Sequence, residues 1–208
     1  LAAESHDIAE IAARAGVTPD FADLLLRWLD RLAASGALTK NGEAYASSQA
    51  LAAPDLEAMW TDAEAQFADN KGLFNYIRHC GRIMNDVVTG RESPLETLFP
   101  QGGFELAQDL YERSQTMRYI NAVAATAASA FAAAAGRPLR VLEIGAGTGS
   151  TTQAVVAALP EVAVYHFTDV SDLFLDRARE RFAAYPNMRY GRFDLDLPIA
   201  EQGYAPGQ

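Results

Sequence analysis

The sequence predicts an α/β protein: a helical amino-terminal stretch followed by parallel strands that alternate with helices. Three observations predict this. The hydrophobic pattern switches from helical to strand period after Arg137-Pro138, where the proline breaks an alanine-rich helix. The apolar segment Leu139–Ile144 then runs directly into Gly145, Ala146, Gly147, Thr148 and Gly149, which lead into a helical segment over 150–159. Two further apolar segments, 162–167 and 188–193, are each closely followed by a carboxylate, Asp169 and Asp194, with a helix over 172–184 between them.

The 208 residues are 50% hydrophobic and 21% charged, a soluble globular composition with room for one large domain or two small ones. The pattern suggests three segments: a winged-helix-like module over 1–50, a helical lid and linker over 51–137, and the first half of an α/β core over 138–208. The chain opens on Leu1 with no signal-peptide pattern, which reads as a piece excised from a longer protein. No apolar run reaches the roughly 18 residues of a membrane span, so a cytoplasmic location is expected. The lone Cys80 leaves no internal disulfide, and with only His6, His79 and His166 beside it no metal site is expected.

Residues 7–48 resemble a winged helix-turn-helix. Asp7 caps a helix through Ala15 that Gly16 ends, and Thr18-Pro19 starts a second helix with an apolar face of Phe21, Leu24, Leu25, Trp28 and Leu32. Leu38, Thr39 and then 44–47 read as two short strands around an Asn41-Gly42 turn. Arg27 and Arg31 stand against Asp20, Asp23 and Asp30, and the whole chain carries a formal charge of −10, so a nucleic-acid partner is not expected. A structural or dimerisation module is the expected role. Residues 54–135 read as helices interrupted at Gly72, at 90–94 and at 100–103, with Trp60, Phe67, Phe74 and Tyr76 as core positions and the run from 122 to 135 as a buried helix.

A glycine turn between strand and helix lets a nucleotide-type ligand approach the backbone, since a side chain at Gly145 or Gly147 would fill the ligand's space. Asp169, 20 residues beyond Gly149, stands where a carboxylate accepts from ribose hydroxyls, and Glu143 ends the first strand. On the residues alone, the cleft suits a dinucleotide or S-adenosylmethionine.

The string Val141, Leu142, Glu143, Ile144, Gly145, Ala146, Gly147, Thr148, Gly149 resembles the first motif of class I (Rossmann-like) methyltransferases. Pro94 through Pro100, Phe104-Glu105-Leu106-Ala107 with Leu110-Tyr111, Phe167 through Ser171, Phe193 through Asp196 and Gln202-Gly203 are similar to the C-methyltransferase domains of modular polyketide synthases. The resemblance implies S-adenosyl-L-methionine as cofactor, with Glu143, Gly145, Ala146, Gly147 and Gly149 shaping its methionine and sugar pocket. It further implies Asp169 at the ribose, Asp194 and Leu195 flanking the adenine, and Tyr111, Tyr119 and Asn121 closing over the cofactor. The implied reaction is C-methylation of a β-ketoacyl or malonyl-type thioester on an acyl carrier protein, beside neighbouring synthase domains. O-methylation and an inactive scaffold are the alternatives. In such domains a histidine assisted by a glutamate, beyond the fourth strand, removes the proton; this chain is expected to stop before that strand, which leaves the catalytic base unassigned and the strand Leu139–Ile144 with an unpaired edge.

Overall fold

The structure, a computed structural model, describes residues 4–51, 53–159 and 162–204. The chain packs as two units, Leu1–Ala68 with Phe74–Gly103, and Asp69–Leu73 with Phe104–Gln208, so the helical segment 51–137 is shared between them.

In the first unit, α1 (Ile8–Ala15) is capped by Asp7, whose carboxylate accepts from the Glu10 amide, and ends on Gly16 in the left-handed region. Pro19–Phe21 forms a tight 3-10 turn, and α2 (Ala22–Ala34) starts after it rather than at the proline. The buried face of α2 is Leu25 and Leu29; Trp28 and Leu32, expected on that face, are exposed. β2 (Thr39–Asn41) and β3 (Ala44–Ala46) form the expected hairpin, but the two linking residues are Gly42 and Glu43, one place beyond the Asn-Gly pair. A strand that the sequence did not announce, β1 (His6–Asp7), pairs with the other side of β3. Leu25, Leu29, Leu38 and Tyr45 close this core. Further on lie α3 (Leu56–Gln66) and α4 (Lys71–Val88), where Trp60 and Phe67 pack around the buried Phe74 at 6.1 and 6.3 Å between ring centroids.

In the second unit, Gly72 does not interrupt a helix but sits in the first turn of α4. A Cβ there would collide with the Asp109 carbonyl, so this position admits close approach of two backbones. After α5 (Glu105–Gln108) the chain makes one wide π-type turn, Asp109–Arg113. Ser114 then starts α6 (Gln115–Ala135), its buried hydroxyl donating to the Leu110 carbonyl and accepting from the Met117 amide. α6 is buried along one face only, at Asn121, Ala125 and Ala132, and Phe131 on the other side is 66% exposed; its alanines keep one face slim rather than marking a fully buried helix.

Gly136, in the left-handed region, ends α6 before Pro138. Then follow β4 (Leu139–Ile144), α7 (Ser150–Ala158), β5 (Val162–Asp169), α8 (Asp172–Arg181) and β6 (Met188–Arg192). The strands form a parallel sheet in the order β4-β5-β6, with Ile144 opposite Thr168 and Asp169 opposite Arg192. Strand alternation sets the layers. Leu139, Tyr165, Phe167 and Met188 pack with residues of α6, α7 and α8 in one core. Arg140, Leu142 and His166 turn to the opposite face, where Leu142 is 49% exposed. Among the described residues β4 pairs only with β5. Exposure along β4 falls by face: Leu142 and Ile144 are open, and Val141 packs against the core. No described helix is long and apolar enough to cross a membrane.

Candidate cofactor site

The parallel register brings the carboxyl ends of β4, β5 and β6 side by side, with the glycine turn following β4, Asp169 ending β5 and Asp194 following β6. Gly145, Gly147 and Gly149 all have positive φ, at 67°, 55° and 76°. They differ in what surrounds them. A Cβ on Gly145 would meet nothing within 4 Å, and one on Gly147 would meet only the Gly145 carbonyl at 3.9 Å, so these two border open space. A Cβ on Gly149 would press against the Phe182 ring at 2.8 Å, which makes it the contact where the turn packs on α8's end. The turn is therefore open on the side a ligand would use and closed beneath.

Asp169 is buried and fixes the turn from the neighbouring strand. Its Oδ2 accepts from the Gly147 amide and its Oδ1 from the Ser171 amide, both at 2.9 Å. The adjacent Ala146 amide donates to the Thr168 carbonyl at 2.9 Å. Each Asp169 oxygen keeps lone-pair capacity for a further donor.

Glu143 faces the helix layer rather than open space. Its Oε2 accepts from the Thr152 hydroxyl at 2.6 Å and the Tyr165 hydroxyl at 2.8 Å, which ties β4 to α7 and β5 directly below the turn. Burial pushes its carboxyl above the usual range, and the two hydroxyl bonds oppose that shift. Tyr165 is pushed up by the same burial and by the neighbouring carboxylate. The sequence offered no signal for this trio, because Thr152 and Tyr165 lie in different elements.

At the third strand end, Asp194 Oδ1 accepts from the Asp196 amide, and Gln202 clamps the loop by accepting from the Asp194 amide and donating to the Asp194 carbonyl. Leu195 next to it is 75% exposed, an apolar side chain at the rim. Of the three residues expected from the preceding helices, Asn121 is buried and spends both ends of its amide within the protein, donating to the Tyr111 carbonyl and accepting from Thr151. Tyr111 is held by its backbone in this way, with its side chain 37% exposed, and Tyr119 is 73% exposed.

Each of the three histidines has its surroundings within its own unit. His6 contacts Glu10, His79 bonds the Glu96 carbonyl, and His166 is on the far face of the sheet, where burial and Arg189 depress its pKa.

A parallel sheet with a glycine turn after its first strand and carboxylates at the next two strand ends defines a Rossmann-like cofactor cleft. The family model described as "Methyltransferase domain" matches residues 142–205. The chain is 34% identical to pyochelin synthetase PchF of Pseudomonas aeruginosa over 96% of its own length and 12% of that protein's. It is 42% identical to polyketide synthase ThaG of Burkholderia thailandensis over 60% of this chain and 2% of that protein. Among solved structures, the CurJ carbon methyltransferase superposes with a TM-score of 0.85 and 28% identity, covering 98% of this chain and 55% of that one. The DszA carbon methyltransferase gives 0.84 and 27%, over 99% of this chain and again 55% of that one. The chain thus spans about half the length of these two structures and a small part of the curated relatives. Residues 142–205 form a methyltransferase domain, the chain has the α/β fold of the CurJ and DszA carbon methyltransferases, and its relatives include polyketide and pyochelin synthetases.

Proposed function

We propose that the chain binds S-adenosyl-L-methionine at the Gly145–Gly149 turn and takes part in C-methylation of an acyl group carried on an acyl carrier protein, in the cytoplasm, among neighbouring domains of a synthase. The observation that carries this reading is the turn itself, with open space over Gly145 and Gly147 and a buried Asp169 locked beside them. That geometry fits the cofactor. Close approach of the backbone suits the methionine and sugar, and Asp169, held by two amides, presents its remaining lone pairs to ribose hydroxyls. Asp194 and Leu195 at the third strand end flank the adenine. Glu143 acts from below, by fixing β4 to α7, and Asn121 acts by fixing Tyr111 to the start of α7. Tyr111 and Tyr119 cover the methionine end.

The bound cofactor supplies an electrophilic methyl group on a sulfonium. What the protein must add is removal of a proton from the carbon between two carbonyls, which needs a base within about 3 Å of that proton. Within the second unit His166 faces the side of the sheet away from the helix layer, and the residues at the turn bind and orient the donor.

The test has two stages in the full-length protein. Calorimetry should detect one S-adenosylmethionine per chain. A labelled-methyl assay with a β-ketoacyl carrier protein should then place the label on carbon, read by mass spectrometry of the released acyl group. Absence of cofactor binding would overturn the reading, and label on oxygen would redirect it to O-methylation.

A further inference from the structure

One support of the glycine turn comes from a residue that lies outside every motif. Arg181, in the last turn of α8, donates through Nη1 to the Thr148 carbonyl at 3.1 Å and through Nη2 to both carboxylate oxygens of Glu112, each at 3.0 Å. The side chains of Arg181 and Glu112 are 24% and 34% exposed, so this ion pair is partly withdrawn from water. A guanidinium fork can hold a carbonyl and a carboxylate in one plane; an ammonium on a flexible stem cannot fix both directions.

The consequence falls on one peptide unit. The Gly149 amide donates to the Ala146 carbonyl at 2.9 Å, and the Thr148 carbonyl of the same peptide accepts from Arg181, so this peptide is held at both ends. Gly147 is pinned by Asp169. At Gly147 and Thr148 the turn borders a cleft of about 520 Å³ whose wall includes Phe104, Phe174, Arg177 and Arg181 itself. Three glycines within five residues leave such a turn many alternative conformations once a bond is lost. Glu112 belongs to the wide turn Asp109–Arg113, so the same guanidinium joins the segment before α6 to the glycine turn.

We infer that Arg181 is a positioning residue for the cofactor turn: it sets the Thr148–Gly149 peptide and couples it to Glu112. The inference rests on the proposed cofactor site. An unsupported turn must be ordered when the cofactor binds, which weakens binding; once bound, the reacting groups are unchanged.

In the full-length protein, Arg181→Ala should raise the KM and Kd for S-adenosylmethionine about ten-fold or more while kcat at saturation stays within about two-fold. Arg181→Lys should lose most of the same affinity despite keeping the charge, and millimolar guanidinium chloride should restore affinity to Arg181→Ala. Glu112→Gln should give a smaller rise, because one amide oxygen still accepts. Hydrogen exchange read without cofactor should show faster exchange at Gly147 and Gly149 in Arg181→Ala. Unchanged KM in Arg181→Ala, or a joint fall of kcat and thermal stability with no KM shift, would overturn the inference. If the wild type binds no cofactor, the functional reading fails, and the exchange measurement still decides whether Arg181 orders the turn: unchanged exchange at both amides would overturn that too.

Discussion

At Gly147 the backbone has φ +55°, and a Cβ would stand in open space rather than against the protein. Valine there would combine a strained left-handed backbone with a branched side chain in the volume a cofactor needs. Gly147→Val is expected to abolish S-adenosylmethionine binding in calorimetry and leave the far-UV circular dichroism nearly unchanged; retained affinity would remove the turn from the site. Glu143 poses a different question, because its carboxylate is half-buried and, among the described residues, accepts from two hydroxyls with no cation bonded to it. Its native pKa lies above the ordinary 4.5, so in the window between the two values the native state binds more protons than the unfolded chain. Stability from this group is therefore lost as pH rises through that window and stays lost above it. Glu143→Gln keeps an acceptor for Thr152 and Tyr165 without the charge. Thermal melts across pH 4 to 7 should show a variant whose Tm falls less with rising pH than the wild type's; parallel profiles would mean the carboxylate is better solvated than its surroundings indicate.

At the scale of elements, the meeting of α4's first turn with the wide turn Asp109–Arg113 depends on Gly72. Alanine normally favours a helix by roughly 0.5–1 kcal/mol over glycine, but here its methyl would drive into the Asp109 carbonyl. Gly72→Ala should therefore cost a net 1–3 kcal/mol, on the order expected for overpacking, in urea denaturation, and a stabilised variant would refute the close approach. This contact shows where the sequence stopped being legible. β4 was readable to the residue, because an apolar run between Pro138 and three glycines has both ends punctuated. α8 ends at Arg181, three residues early, because Phe182 turns into the core against Phe167. Gly72 looked like an interruption because its reason, a carbonyl 37 residues onward, leaves no trace in local spacing. β1 has only two residues, too few for any period. The strand-end residues Gly145, Gly147, Asp169 and Asp194 were legible because a βα repeat fixes where such groups stand, and Glu112 with Arg181 was not, since 69 residues separate them.

For the whole molecule, charge decides whether residues 1–50, whose sequence resembles a winged helix, could bind DNA. Binding DNA requires cations free to neutralise phosphates, and that electrostatic term supplies essentially all nonspecific affinity. The chain carries 27 acidic against 17 basic residues, a formal charge of −10, so its long-range field repels a polyanion. The local arrangement adds to this. Lys40, on the hairpin strand β2, holds Asp30 of α2 at 2.6 Å, and the Tyr45 hydroxyl donates to the same carboxylate oxygen at 2.6 Å. These bonds pull Asp30 below its ordinary pKa, so the carboxylate stays charged on the helix that would have to read a groove. The hairpin cation is thus committed inside the unit, and Asp23 accompanies Arg27 and Arg31 along α2. These charges oppose a DNA-binding role. Fluorescence anisotropy with duplex DNA should find no affinity stronger than about 10⁻⁴ M at physiological salt, the weak limit of nonspecific binding. Lowering the salt should reveal at most weak, sequence-independent association, whereas a tight and sequence-selective complex would replace the structural reading with a regulatory one.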